Sequence, residues 1–568
     1  MIDSVPIEEF SYGLDLSGAD PASLNDALRD VTLDVMSDPL RMATVTSGLM
    51  IAEQAVAMNA LRRMQGENPP AAVDVGDDKR FTDPAWTTNP FLITMVEEYL
   101  VRRQYALQMI EVSRLPEATK RKARFALTML MDAIAPSNVP WLNPAVVKQA
   151  INSGGESLVN GLTEMLDDIK NNGGYPKQVD SSGFELGKNL AATPGEVMFR
   201  NDLIELIAYY PQTQDVYERP LLMSPPWINK YYIMDLAPGR SFVEWAVQRG
   251  HQVFMISYRN PDESLRDYTM DDYFKNGVLA ALEAVERITG APQVNFAALC
   301  VGGTMVTMLL AYLAAKGEEH RIGAVTLTNT IVDFAEPGDL GVFTDETTIA
   351  RLEEKMKEHG YLEAGDMAHT FDWLRANDLI WSYVVSNWYM GKKPPAFDIL
   401  TWNADATRMP ATMHSQYLRA CYLYNLLVVP NAFVLDNIAL DLGEITTPLY
   451  ILGAENDHIA PWRTSFATAR YVGGPVKYTR TNAGHIAGIC NPPGNAKSCY
   501  WTTDAVEPDE TPDIWLARAV KRQGSWWEDW AAWADAHGGA RRAPYPLPSS
   551  GEPAPGRYVL NQTEATIA

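Results

Sequence analysis

A buried strand that runs straight into an apolar helix through one cysteine is the feature that most limits how this chain can fold. Residues 294–299 read VNFAAL, and residues 301–315 read VGGTMVTMLLAYLAA. The stretch from Ala298 to Gly302 matches the G-x-S-x-G pattern of a nucleophile elbow, with Cys300 in place of serine and Ala298 in place of the first glycine. The helix start behind Cys300 favours a thiolate. The alternative is a buried core cysteine in an ordinary strand–helix turn.

Strands and helices alternate along the chain around this turn. We predict helices over 270–288 and 304–315. We predict strands at 221–226, 251–260, 294–299, 322–332, 446–457 and 476–485. Such alternation is typical of a mostly parallel sheet with helices on both faces. Two β-rich runs separated by Asn-Asp within 193–210 predict a hairpin that leads into this sheet.

The pattern changes at several places along the chain, and these changes predict the domains. Residues 1–185 have mainly helical periodicity and predict a separate N-terminal domain. Residues 186–545 carry the strand–helix alternation. A stretch rich in Trp, Tyr and Met at about 334–435 interrupts it and predicts a helical insertion. Residues 546–568 are rich in Gly, Pro and Ala and predict a flexible C-terminal tail.

Two polar residues downstream of the cysteine occupy the places that a catalytic acid and base need. Asp457 ends one predicted strand, and His485 follows the next one. The carboxyl ends of parallel strands share one sheet edge, and the order nucleophile, acid, histidine is that of the α/β-hydrolase fold. We therefore expect this fold, with Cys300 as nucleophile, His485 as its base and Asp457 orienting the imidazole.

Other residues compete for these roles. His458 is an alternative base because it adjoins Asp457, and Glu455 is an alternative acid two positions earlier. A Pro-rich loop, SPPWINK at 224–230, follows the first long strand. In this fold such a loop and the residue after the nucleophile each donate a backbone N–H to an oxyanion hole, which nominates Ile228, or a neighbour of it, and Val301. The alternative is an ordinary Pro-rich turn.

The composition of the chain further limits which classes of function we expect. The 568 residues include four cysteines, at 300, 421, 490 and 499, too few for a disulfide framework and not at zinc-ligand spacing. The net charge of −24 opposes nucleic-acid binding, which needs a basic surface. There is no apolar run of roughly 18 residues, the length of a membrane span, and no secretion signal. We expect a cytoplasmic protein with no membrane span, no metal and no redox cofactor.

Several longer segments resemble those of polyhydroxyalkanoate synthases, in the family's order between about residues 80 and 535. They are FTDPAWTTNP (81–90), PSNVPWLNP (136–144), GGESLVNGL (154–162), PPWINKYYIMDLAPGRSFVEW (225–245), QRGHQVFMISYRNPD (248–262), CVGGT (300–304), TWNADATRMP (401–410), GHIAGICNPP (484–493) and GSWWEDWAAW (524–533). The chain is similar to the single-subunit class I and II synthases, and closer to class I. The family usually has Gly where this chain has Ala298, and its catalytic motif falls on Cys300, Asp457 and His485.

The resemblance implies an acyltransferase that polymerises (R)-3-hydroxyacyl-CoA into polyester and releases CoA. Either His485 or Asp457 would activate the 3-hydroxyl group. The resemblance also implies a homodimer at the surface of polyester granules, with the 334–435 insertion as a cap that contributes to dimer contacts. Two other functions compete with this one: a cysteine esterase or polyester depolymerase of the same fold, and a non-catalytic granule scaffold.

Overall fold

The chain folds into two compact units, which a computed structural model describes over residues 21–76 and 78–561. Unit 1 contains the N-terminal part up to Asp180 together with a later segment, Ala368–Ala396. Unit 2 contains the remainder of the chain. The later segment falls inside the stretch 334–435 that the sequence predicts to be one insertion, so the structure divides that stretch between the two units.

Helices build unit 1, and three of them begin at strong N-terminal caps. Among the described residues up to 171 the helices are α1 (Pro21–Met36), α2 (Pro39–Met64), α3 (Ala85–Thr88), α4 (Pro90–Val112), α5 (Glu117–Ala133), α6 (Pro144–Asn152) and α7 (Glu156–Asn171). Asp38, Asn89 and Asn143 precede prolines and accept hydrogen bonds from two backbone N–H groups at the starts of α2, α4 and α6. Proline suits the first helical position because its missing N–H would have no intrahelical acceptor there.

Buried polar contacts explain why the later segment belongs to unit 1. The Trp388 indole Nε1 donates to Asp168 at 2.7 Å, and the Asn387 side-chain amide donates to the Lys177 carbonyl at 2.8 Å. Both donors lie on a π-helical turn, Val384–Tyr389. A buried polar group without a partner is costly, so these pairings hold the segment against α7 and the chain that follows it.

A large sheet forms the centre of unit 2. Its strands among the described residues stand in the order β1-β2-β5-β4-β6-β7-β12-β13-β14-β15. The strands of unit 2 are β1 (Gly195–Arg200), β2 (Ile204–Tyr209), β3 (Val216–Tyr217), β4 (Leu221–Ser224), β5 (Val253–Tyr258), β6 (Val294–Leu299), β7 (Ile322–Thr328), β8 (Tyr361–Leu362), β9 (Met409–Pro410), β10 (Val434–Leu435), β11 (Ile438–Ala439), β12 (Leu449–Ala454), β13 (Val476–Thr481), β14 (Cys499–Thr502), β15 (Val520–Gln523) and β16 (Arg541–Arg542).

Strands β5, β4, β6, β7, β12 and β13 are parallel, and their side chains are almost all buried. This confirms the predicted mostly parallel sheet. The predicted hairpin at its entrance is β1 and β2, which pair in antiparallel fashion. The antiparallel strands β14 and β15 at the other edge were not predicted, because they are short and β15 is exposed along its length.

Helices cover the sheet and form the insertion of unit 2. They are α8 (Phe242–Gln248), α9 (Met270–Tyr273), α10 (Ala280–Thr289), α11 (Val301–Ala315), α12 (Glu346–His359), α13 (Ala364–Leu374, which crosses the unit boundary), α14 (Asp398–Ala404), α15 (Ala411–Tyr417), α16 (Trp462–Phe466), α17 (Thr468–Tyr471), α18 (Pro512–Arg518) and α19 (Trp526–His537). Among the described residues, none of the helices combines the length and apolarity that crossing a membrane requires.

The C-terminal segment is packed through residue 561, which corrects the predicted flexible tail. The buried Glu205 carboxylate accepts a hydrogen bond from the Arg557 backbone N–H at 3.0 Å. The Lys230 ammonium group donates to the carbonyl of Val559, a residue that is itself buried. Gly and Pro disfavour regular secondary structure, but an irregular segment still packs where buried charged groups need partners. Residues 562–568 lie outside the described residues.

Candidate active site

The chain at Cys300 adopts a strained turn between β6 and α11. Cys300 has φ +52° and ψ −126°, a region that side-chain-bearing residues rarely occupy. Its N–H still extends the sheet by donating to the Thr328 carbonyl at 2.9 Å. Its carbonyl already accepts the N–H groups of Gly303 and Thr304 and so begins the helix. Cys300 is therefore partly exposed between two fully packed elements, which is the geometry of a nucleophile elbow.

Close backbone approach explains the small residues around the cysteine. A Cβ atom on Gly302 would lie 2.4 Å from the Pro225 carbonyl oxygen, and one on Gly303 would lie 2.0 Å from Thr330 Oγ1. No side chain fits at either glycine without movement of its neighbours. Ala298 differs because it sits within regular parallel pairing between β4 and β7, where a methyl group is accommodated. The replacement of the first glycine by Ala298 is thus compatible with the elbow.

His485 and Asp457 form a buried pair at the carboxyl edge of the sheet. His485 Nδ1 lies 2.6 Å from Asp457 Oδ2. The other carboxylate oxygen accepts the backbone N–H groups of Ile459 and Ala460 at 2.9 and 2.8 Å. These contacts occupy both carboxylate oxygens and fix the orientation of the imidazole.

The negative charge of Cys300 affects the pKa of His485 in this pair. Burial by itself would lower the pKa of the His485 imidazole, but the negative charges of Asp457 and of the Cys300 thiolate, and hydrogen bonding to both, raise that pKa well above its usual range. The structure therefore brings together the three side chains that the sequence nominates.

Two tryptophans of α19 hold the loop that carries His485. The Trp526 indole N–H donates to the Gly488 carbonyl at 2.6 Å, and the Trp527 indole N–H donates to the Ile489 carbonyl at 2.9 Å. Both indole rings are fully buried. The segment GSWWEDWAAW contributes to the family resemblance, but its periodicity alone indicates only an apolar helix. Its positioning role is visible only in the structure.

Asn329 links the histidine loop to the sheet. It follows β7 with φ +47°, and its side-chain amide donates to the His485 carbonyl at 2.5 Å. Its backbone N–H donates to the Leu452 carbonyl on the neighbouring strand. Thr330, the next residue, donates from Oγ1 to the Cys300 carbonyl at 3.3 Å. The sequence analysis missed these residues, although polar residues directly after a parallel strand are a signal for site positions.

The alternative acid and base, Glu455 and His458, contact other groups. Glu455 lies 3.3 Å from Arg480 in an ion pair. The imidazole bonded to Asp457 is that of His485, while the His458 carbonyl accepts the Asp339 backbone N–H. The structure thus pairs His485 with Asp457 and Arg480 with Glu455.

The predicted oxyanion donors lie at the start of α11 and in the loop before it. The N–H groups of Gly303 and Thr304 are used by the Cys300 carbonyl, whereas the N–H of Val301 has no acceptor within the helix because it belongs to the first turn. Ile228 is half-buried in a loop whose Pro225 carbonyl abuts Gly302. The assignment of Ile228 and Val301 to the oxyanion hole stays a prediction.

Comparison with known proteins covers nearly the whole chain. A family described as the N-terminus of poly-beta-hydroxybutyrate polymerase (PhaC) matches residues 77–246, and one described as the alpha/beta hydrolase fold matches residues 237–491. The poly(3-hydroxyalkanoate) polymerase of Methylorubrum extorquens is 42% identical over 98% of this chain and 93% of its own length. The poly(3-hydroxyalkanoate) polymerase subunit PhaC of Cupriavidus necator is 40% identical over 88% of this chain and 86% of its own length. The fold is thus the predicted α/β-hydrolase fold, and the chain belongs to the poly(3-hydroxyalkanoate) polymerase family.

Proposed function

We propose that this protein polymerises (R)-3-hydroxyacyl-CoA into polyhydroxyalkanoate by acyl transfer through Cys300, with His485 as the base and Asp457 as its orienting acid. The observation that carries this proposal is an elbow cysteine whose charge acts on a buried His–Asp pair, in a chain of this family. The geometry supports covalent catalysis, in which one difficult step becomes two easier ones.

Acylation of the cysteine is the first half of the cycle. The Cys300 thiolate attacks the thioester carbonyl carbon, and the oxyanion that forms accepts hydrogen bonds from the backbone N–H groups of Val301 and Ile228. The bond from carbon to the CoA sulphur then breaks. The imidazolium of His485 gives its proton to the departing thiolate, so CoA leaves as the free thiol and the acyl group stays on Cys300.

Ester formation is the second half. The 3-hydroxyl oxygen of another unit attacks the acyl thioester on Cys300, and its proton passes to His485. The bond from the acyl carbon to Cys300 Sγ breaks, which regenerates the thiolate beside the imidazolium. The product carries one new ester bond. A cysteine suits this cycle because the acyl-enzyme is a thioester like the substrate and keeps its activation, whereas an ester on serine would be more stable.

Association with the polymer surface is a further part of the proposal. Helix α7 exposes a row of apolar side chains at helical spacing, namely Leu158, Val159, Leu162, Leu166 and Ile169. Contiguous exposed apolar surface of this kind marks an interaction site, and a polyester is an apolar partner. The homodimer that the resemblance implies is tested by sedimentation of the purified protein at several concentrations.

The test is CoA release from (R)-3-hydroxybutyryl-CoA by purified protein, with analysis of the product. We expect insoluble polyester and loss of CoA release in Cys300→Ala. Cys499→Ala is the matched control, because Cys499 is buried on β14; it should keep its activity. Free 3-hydroxybutyrate as the only product would support an esterase or depolymerase instead. If neither this thioester nor longer 3-hydroxyacyl-CoAs release CoA, a granule scaffold becomes the better explanation.

A further inference from the structure

Four aromatic side chains in unit 2 pack around one another next to the elbow. The Tyr417 ring makes edge-to-face contacts with Trp227, Phe334 and Tyr422, at centroid distances of 5.5, 6.1 and 5.6 Å. We call these four residues the aromatic cluster. Tyr417 ends α15 and Tyr422 lies on the π-helical turn after it, so half of the cluster comes from the helical insertion.

The aromatic cluster lies beside Cys300. The Cys300 side chain packs against the hydrophobic core that contains Trp227, Phe334 and Tyr417. Trp227 belongs to the loop whose Pro225 carbonyl abuts the helix start after the cysteine. Burial raises the pKa of the Tyr422 hydroxyl above its usual range, and the negative charge of the Cys300 thiolate raises it further. The Trp227 loop and Tyr422 therefore connect the aromatic cluster to the elbow.

Two hydrogen-bond donors in the aromatic cluster lack a well-formed hydrogen bond. The Tyr417 hydroxyl and the Trp227 indole N–H are buried, and no acceptor among the described residues lies in hydrogen-bonding geometry to either; the Tyr417 hydroxyl interacts with that of Tyr422 without meeting that geometry. Tyr417 is 4% exposed and Trp227 is 2% exposed, so bulk water does not satisfy either group. Unpaired buried donors destabilise a fold, and they are found where a ligand supplies the missing acceptor.

The chemistry of the donors limits what that acceptor is. In the proposed reaction the thioester carbonyl oxygen is bound by backbone N–H groups. A hydroxyacyl group has one other oxygen, on carbon 3, two carbons from the reacting carbonyl, and a simple acyl group has none. An apolar surface with a few placed polar groups is the usual composition of a specific ligand site. The aromatic cluster therefore suits a short chain of carbon atoms that carries an oxygen at carbon 3.

We propose that the aromatic cluster binds the acyl group on Cys300 and that the Tyr417 hydroxyl, assisted by the Trp227 indole N–H, donates a hydrogen bond to the oxygen on carbon 3. This rests on the proposed function and deepens it, because it assigns the selection of 3-oxygenated acyl groups to named side chains. A site built to bind an oxygen discriminates strongly against an analogue that lacks it, since the site's own polar groups are then left unpaired.

The experiment compares acylation of Cys300 by two thioesters, (R)-3-hydroxybutyryl-CoA and butyryl-CoA, which differ only in the 3-hydroxyl group. With enzyme in excess, rapid quenching and intact-mass analysis give the rate of acyl-enzyme formation for each. We expect the wild type to favour the hydroxylated thioester. In Tyr417→Phe we expect the rate with that thioester to fall about tenfold, the effect of one buried hydrogen bond, while the butyryl rate is unchanged.

Tyr258→Phe is the matched control. The Tyr258 hydroxyl is also buried and unpaired among the described residues, and its ring belongs to the same hydrophobic core. Tyr258 stacks on Tyr273 at 5.9 Å instead of packing against Tyr417. We expect this variant to keep the wild-type ratio of the two rates. If Tyr417→Phe does not fold, Trp227→Phe tests the second donor, and its thermal unfolding shows whether the fold is retained.

Equal slowing with both thioesters would overturn the proposal, because Tyr417 would then support the thiolate or the fold. The pH dependence of iodoacetamide alkylation of Cys300 separates those two: only loss of thiolate support shifts it. An unchanged ratio in Tyr417→Phe would also overturn it. If the wild type forms no acyl-enzyme with either thioester, the proposed function fails and this inference fails with it. If acyl-enzyme forms at equal rates with both, only this inference fails.

Discussion

The elbow that carries Cys300 and the loop that carries His485 are held in place in different ways. At the elbow, backbone strain at the cysteine and close approach at Gly302 and Gly303 leave one conformation. The histidine loop depends on side-chain hydrogen bonds from remote positions, including Asn329, which is 156 residues away. A clash between backbone atoms forces the turn into another conformation, whereas the loss of one hydrogen bond displaces the loop only slightly. Variants of the elbow should therefore be nearly all-or-none, and variants of the loop should be graded.

Gly302→Ala should give the largest effect. The new Cβ would lie within 2.5 Å of two carbonyl oxygens, those of Ser224 and Pro225, so the turn must shift. Because displacement of a nucleophile by about 1 Å can cost about a hundredfold in rate, we expect CoA release to fall by at least that factor. Overpacking should also lower the free energy of unfolding by about 1–3 kcal/mol. Steady-state CoA release and urea unfolding measure the two effects.

Ala298→Gly is the control for that prediction. Glycine in a strand costs about 0.5–1 kcal/mol of stability, but Ala298 lies in regular pairing and should not alter the turn. We expect near wild-type CoA release. A large rate loss here would mean that the elbow depends on the first small position as much as on Gly302, and the comparison would need revision.

Asn329→Asp should give an intermediate effect. The substitution keeps the shape and the tolerance for positive φ, but a carboxylate cannot donate to the His485 carbonyl and repels it. We expect kcat to fall about tenfold, as for one lost buried hydrogen bond, with KM nearly unchanged. Asn437→Asp is matched, because Asn437 also has positive φ but is exposed in the β10–β11 turn. Equal effects from both variants would argue against a role in holding the loop.

A comparison of Trp527→Phe with Trp530→Phe should separate the contribution of α19 to the stability of the fold from its role in positioning the His485 loop. Both residues lie on α19 with buried indoles that donate a hydrogen bond, Trp527 to the Ile489 carbonyl and Trp530 to Thr326 Oγ1 on β7. Each substitution should lower the free energy of unfolding by about 1–3 kcal/mol because it removes a buried hydrogen bond and part of a buried ring. Only Trp527→Phe should also lower kcat, by severalfold. If the two variants had the same kcat, the helix would support the fold without positioning the loop.

The pH dependence of stability should show the smallest effect. The pKa of His485 is raised above its ordinary value of 6.5, so the protonated form stabilises the fold. That contribution is fully present below pH 6.5 and is lost as the pH rises through the raised pKa. Asp457→Asn removes the larger of the two charges that raise the pKa of His485, so that pKa falls back toward its ordinary value. Urea unfolding of both proteins at several pH values should show a decline above pH 6.5 that is smaller in the variant than in the wild type. Parallel curves would contradict the charge coupling.

Much of the candidate site could be proposed from the sequence because its signals are local. The elbow is encoded within a few residues around Cys300, since the strand, the turn and the helix are contiguous. Asp457 and His485 each follow a recognisable buried strand, and parallel strands place such residues at one edge of the sheet. The Gly- and Pro-rich composition of the C-terminal segment was misleading, since it reports secondary structure and not packing.

Other features depended on pairings between distant parts of the chain. Asn329, Trp527 and Tyr417 are unremarkable in the sequence, and each gains its place in the site from a partner on another element. The division of the predicted insertion follows from hydrogen bonds such as that of Trp388 to Asp168. The sequence by itself determined the turn at Cys300, the order in which the proposed catalytic residues follow it and the parallel sheet, because local periodicity and turn chemistry encode them. Only the tertiary structure decided what holds the histidine loop and what lies beside the cysteine, because those depend on side chains that meet only after folding.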